Sequence, residues 1–159
     1  AHGVAARHPE RIKHLILIGS ATTCLGNPVV DGLAQWVDTF VDPINPVDVH
    51  DFQASTFFQP VPASYLDTMV AQSLRLPAER WQTVLHGLMS DDHGAELSRV
   101  RARTLVLYGD QDGLFTMAEQ QALVAAIPRA ELVVFEQTGH GLHAEQPARF
   151  AAELERFLR

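Results

Sequence analysis

The sequence predicts an α/β fold: about three parallel strands with flanking helices, interrupted by an inserted block of short helices. Short continuous apolar runs carry the strands. They lie at His14-Leu15-Ile16-Leu17-Ile18, closed by Gly19-Ser20, at Thr104-Leu105-Val106-Leu107-Tyr108-Gly109, and at Glu131-Leu132-Val133-Val134-Phe135. Runs that are apolar at nearly every position suit strands buried on both faces, as in parallel sheets. Helical periods separate the second and third runs and follow the third. Between the first and second runs the character changes, with helical periods cut by prolines.

In chain order, Ala1 to Arg7 reads as the end of a helix that His8-Pro9-Glu10 stops, because the residue before proline avoids the helical region. The first strand follows. Val30, Leu33, Val37 and Phe40 then keep a helical spacing, while Pro43, Pro46, Pro60, Pro62 and Pro77 break the segment into several short helices. After the second strand, Met117 to Ile127 forms a helix with Leu123, Val124 and Ile127 facing the core. Pro147 suits the first turn of the last helix, whose apolar stripe is Phe150, Leu154, Phe157 and Leu158.

A chain of 159 residues fits one domain with a real core. The net charge is −7 and the basic residues are scattered, which argues against nucleic acid or an anionic membrane as a partner. No apolar stretch approaches the ~20 residues of a membrane span. Cys24 is the only cysteine, so it reads as a small packing residue and an internal disulfide is impossible. The opening Ala1-His2-Gly3 carries no signal-like run; a cytoplasmic location is expected, with the true N-terminus upstream.

Two residues past strand ends carry the chemistry. Asp112 sits in the turn Gly109-Asp110-Gln111-Asp112, and His140 lies between Gly139 and Gly141. A carboxylate at the carboxyl end of a strand can fix the tautomer of an imidazole and stabilise its cation. A neutral imidazole can take a proton from a nucleophile and return it to a leaving group. A solvated turn aspartate and an idle turn histidine are the plain alternatives. No Gly-x-Ser-x-Gly occurs. Ser20 reads as a strand-end turn serine, and Ser55, Ser64, Ser73, Ser90 and Ser98 lack the setting of a nucleophile. Asp91-Asp92-His93 and His140-x-x-His143 match no zinc or di-metal spacing, so no metal is expected and the first is expected to be a solvated acidic loop.

His8-Pro9-Glu10-Arg11-Ile12, the Leu15–Ser20 run, Thr104 through Asp112, and Gly139-His140 followed by Glu145-x-Pro147 together resemble the C-terminal half of an α/β-hydrolase-fold protein with a lid. The resemblance spans essentially the whole chain. It implies a core at residues 1–24 and 99–159 and a helical lid at 25–98. It assigns the triad acid to Asp112 and the base to His140, with Asp110 and His143 as alternatives. The nucleophile would stand on a sharp strand-to-helix turn roughly half a dozen residues before Ala1, and the oxyanion-hole donors would also lie outside this chain.

The expected parent is a cofactor-free hydrolase of small apolar ester-like molecules, and this chain alone would be inactive. Alternatives are a binding or signalling protein of the same fold, an enzyme cleaving carbon–carbon bonds, and one using an Asp nucleophile on haloalkanes or epoxides. Tyr65, the only lid tyrosine, weighs against an epoxide hydrolase. Trp36, Phe40, Phe57, Phe58, Tyr65 and Trp81, with Met69 and Met89, are expected to form the lid's small core, a few of them lining an acyl pocket. Without the missing N-terminal half, Leu15–Ile18 would be an exposed apolar edge, and the isolated chain is expected to be poorly soluble.

Overall fold

The computed structural model describes residues 1–159. Its sheet has three parallel strands in the order β1 (His14–Ile18), β2 (Arg103–Gly109), β3 (Ala130–Phe135). Leu15 faces Thr104 and Ile18 faces Leu107 across the first pairing, and Gly109 faces Phe135 across the second. β2 is central, and its residues from Thr104 onward are buried, which is why its sequence is an unbroken apolar run.

Alternation divides the strand residues between two faces. On one face Leu15, Leu17 and Val106 pack with Ala5 and Ala6 of α1 (His2–Arg7) and with Leu123 of α6 (Met117–Ala126). On the other, Leu105, Leu107 and Phe135 pack with Leu142 of the short α7 (Leu142–Glu145) and Phe157 of α8 (Pro147–Leu158). Leu158 departs from the expected stripe and is 53% exposed. Phe150, Leu154 and Phe157 share a face at helical spacing, whereas Leu158 is turned a further ~100° round the helix at its end.

β1 is an edge strand, as expected, but its side chains are largely covered. Leu15 and Leu17 are buried under α1 and Ile16 is half-buried, which leaves Ile18 exposed. The unpaired edge is therefore mainly backbone.

Four helices stand between β1 and β2: α2 (Pro28–Val37), α3 (Pro46–Ser55), α4 (Ala63–Ser73) and α5 (Ala78–Ser90). Proline opens α2 and α3, and the preceding Asn27 and Asn45 cap them by accepting backbone N–H bonds. Their shared core is Val37, Phe40, Ile44, Val49 and Ala78. Around it, Phe40 meets Trp36 edge-on at 4.8 Å and Trp81 at 5.7 Å, while Phe52 meets Trp81 at 5.4 Å. Phe58 does not join them and is exposed. The 3₁₀ turn Gly94–Arg99 packs on α1, and Leu97 belongs to the sheet's core, so the inserted helices' own cluster ends with α5.

Candidate active site

Because the strands run parallel, the turns after β1, β2 and β3 gather at one edge of the sheet. The turns after β2 and β3 cross closely. The Gln111 N–H donates to the Thr138 carbonyl at 2.9 Å, and the Thr138 N–H donates to Asp110 Oδ1 at 3.3 Å. A Cβ on Gly109 would collide with the carbonyls of Thr138 and Gly139, so only glycine permits this approach.

Asp112 and His140 meet at this crossing. Asp112 has a fully buried side chain, and His140 Nδ1 lies 2.9 Å from its Oδ2. The Leu114 and Phe115 N–H groups donate to Oδ1 at 2.8 and 3.3 Å. The buried carboxylate is thus held by three donors, as a buried charge requires. A carboxylate has no proton to give, so Nδ1–H donates and Nε2 is left with its lone pair. No hydrogen bond occupies Nε2, and the His140 side chain remains 29% exposed. Gly19 makes room for the ring: a Cβ there would stand 2.6 Å from Cε1, and its φ of +48° already favours glycine.

The neighbouring candidates are engaged elsewhere. Asp110 holds the Thr138 backbone. His143 is exposed, with its Nε2 3.2 Å from the Tyr65 hydroxyl. Ser20 shares the cavity with His140, yet no hydrogen bond joins them. Cys24 lies in the same cavity wall, and burial, with Glu119 and Asp91 adding, pushes its thiol above its ordinary value of 9.0. That favours the protonated, unreactive form.

This cavity has a volume of about 210 Å³ and is roofed by Val30 and Leu33 of α2 and Leu85 and Leu88 of α5. Its wall carries no Lys or Arg, and Asp91 is its only acid. His93 departs from the expected solvated loop. Its side chain is 12% exposed and packs on Gly3 of α1, and its Nε2 lies 2.8 Å from Asp91 Oδ1. Asp91 and Asp92 themselves are exposed. The packing partner stands about ninety positions away in the chain, so no local pattern marked His93. No group of three or more His, Cys, Asp or Glu side chains is arranged to hold a metal ion. No helix is long and apolar enough to cross a membrane.

Comparison with known proteins agrees with this architecture. The family described as "Alpha/beta hydrolase family" matches residues 2–153. The 2-hydroxymuconate semialdehyde hydrolase of Pseudomonas sp. (strain CF600) is 31% identical over 99% of this chain and 57% of its own length. A 2-hydroxy-6-oxononadienedioate/2-hydroxy-6-oxononatrienedioate hydrolase of Paraburkholderia phymatum is 27% identical, over 97% of this chain and 56% of its own length. Among solved structures, an esterase from Exiguobacterium antarcticum superimposes with a TM-score of 0.82 at 19% identity, covering 99% of this chain and 63% of its own. The chain therefore spans a little over half the length of the curated relatives it matches. Three parallel strands, an inserted helical block after the first, and a family match across nearly the whole sequence lead to one conclusion: this chain belongs to the alpha/beta hydrolase family.

Proposed function

We propose that this chain forms the C-terminal part of a hydrolase in which His140 is the general base and then the general acid, and Asp112 its orienting carboxylate. The nucleophile and the oxyanion-hole donors come from the rest of the fold. The free Nε2 accepts the nucleophile's proton as it attacks a carbonyl carbon, and Asp112 stabilises the imidazolium that forms. The same proton passes from Nε2 to the leaving group. A water, deprotonated by His140 in turn, then attacks the acyl carbon, and His140 returns that proton to the nucleophile as the acyl bond breaks and the product leaves. Proton transfer of this kind contributes about 10²–10⁴ in rate. No cofactor enters these steps.

The observation that carries the proposal is the 2.9 Å Asp112–His140 bond, which leaves Nε2 without a partner in a histidine that lines a cavity. The helices α2 to α5 act as a lid, since α2 and α5 roof that cavity. The favoured substrate is a small, uncharged, ester-like molecule. An apolar roof suits its hydrocarbon part, and the part of the wall that this chain supplies offers no Lys or Arg to pair with a carboxylate beside His140.

Carbon–carbon hydrolysis is the second reading, favoured by the relatives named for 2-hydroxymuconate semialdehyde and 2-hydroxy-6-oxononadienedioate. One assay separates the two. The complete protein is offered nitrophenyl esters of increasing chain length, a 2-hydroxy-6-oxo-dienoate monoacid and the corresponding dioate. Turnover of the esters above both dienoates, lost in His140→Ala, supports the first reading; dienoate turnover above ester turnover replaces it with the second. Negligible turnover of every substrate points instead to a binding protein of the same fold.

A further inference from the structure

Glu145 lies outside the Asp112–His140 pair, yet its carboxylate faces two loops at once. Its Oε2 accepts the Phe58 and Gln59 N–H groups at 3.1 and 2.7 Å, and its Oε1 accepts the Gly139 N–H at 2.9 Å. The first two donors belong to the loop between α3 and α4, and the third adjoins His140. Further bonds join the same loops directly. The Gly141 N–H donates to the Thr56 carbonyl at 3.0 Å, and the Gln59 side-chain amide donates to the Gln137 carbonyl at 2.7 Å. Gly139 and Gly141 allow the contact: a Cβ on the first would stand 2.7 Å from the Phe58 nitrogen, and one on the second would enter the Phe57 ring. Gln137 holds a non-glycine φ of +53°, a sparsely occupied conformation that needs such outside support.

We propose that Glu145 is a positioning residue, whose carboxylate ties the His140 loop to the inserted loop at Thr56–Gln59 so that the two hold one geometry. The assignment to catalysis rests on His140 being the base proposed above. Glu145 is not itself an acid or base of the reaction, because both its oxygens are filled by backbone donors. A carboxylate is needed because each of its oxygens only accepts, and together they meet three N–H groups. Glutamine at this place keeps one acceptor and turns an NH₂ towards N–H donors, so at least one bond is lost.

Hydrogen exchange on the complete protein tests the tie without needing turnover. In Glu145→Ala, peptides covering 56–60 and 137–141 exchange about tenfold faster or more, while 103–109 in the central strand is unchanged; Glu145→Gln is intermediate. Unchanged exchange at both loops, or acceleration at 56–60 alone, overturns the tie. So does a uniform rise that includes 103–109 in Glu145→Gln, the variant closer in shape and less prone to misfold. In the complete protein, Glu145→Gln lowers kcat by about tenfold or more with KM little changed, the mark of a displaced catalytic group. An unchanged kcat overturns the positioning role. If the wild-type protein turns over no substrate while the exchange pattern holds, the hydrolase assignment falls and the tie stands.

Discussion

Asp110 and Asp112 stand two positions apart in one turn, yet their carboxylates serve different partners: the Thr138 backbone for the first, the His140 ring for the second. The turn pattern in the sequence marked Asp112 and His140. Which nearby carboxylate and imidazole actually pair depends on how two turns cross, and that crossing is fixed by Gly109 rather than by either acid. Two further residues have testable protonation behaviour. Burial holds the His2 imidazole below its ordinary value of 6.5. The unfolded chain therefore takes up that proton first, so this contribution to stability is present above pH 6.5 and is lost as pH falls through the lowered folded value. Urea midpoints should drop on acidification below pH 6.5, less so in His2→Gln. Cys24 shows the opposite sign. With its thiol raised above 9.0, the linked stability is full below that pH and declines as pH rises through the folded value. A thiol-exchange reagent at mildly alkaline pH should modify native Cys24 at least about tenfold more slowly than the urea-unfolded chain. Equal rates would contradict its buried place.

At the scale of elements, the strands were legible because each is a short apolar run closed by a turn, and burial on both faces of a parallel sheet demands that composition. The boundaries fell within a residue: β2 begins at Arg103, one before the predicted Thr104, and β3 at Ala130, one before Glu131. The inserted helices were legible as a group from their prolines. The Glu145 tie was not, because its ends lie 86 and 87 residues apart in sequence and no periodicity reports such a pairing. The packing makes definite demands. Leu123 of α6 is fully buried where that helix lies against β2 and β3, so Leu123→Ala should lower unfolding free energy by about 2–5 kcal/mol in denaturant titration. Asn27 caps α2 and also donates to the Leu114 carbonyl and to Glu119, which links the inserted block to the loop that carries Asp112. Asn27→Ala should cost about 2 kcal/mol, the upper end of the range for a helix cap. A loss of about 1 kcal/mol or less would show that the link carries nothing beyond an ordinary cap.

For the whole molecule, β1 leaves one line of backbone donors and acceptors unpaired at the sheet edge, with Ile18 exposed beside it. Such edges recruit other strands. The isolated chain should associate at micromolar concentration in light scattering, and Ile18→Lys should reduce that association. A chain that stays monomeric and unfolds cooperatively would contradict the view that β1 needs a further neighbour. The chain spans a little over half the length of its curated relatives, and the roles proposed for Asp112 and His140 belong to the hydrolase of which it would form the C-terminal part. The most direct test of those roles is the kcat of Asp112→Asn in the complete protein. Asparagine preserves shape but presents an amide where a carboxylate held Nδ1–H, so His140 takes the wrong tautomer. A loss of about 10⁴ in kcat, with KM and thermal stability little changed, is the predicted result. A kcat within about threefold of wild type would contradict the assignment of Asp112 and His140 as the acid–base pair.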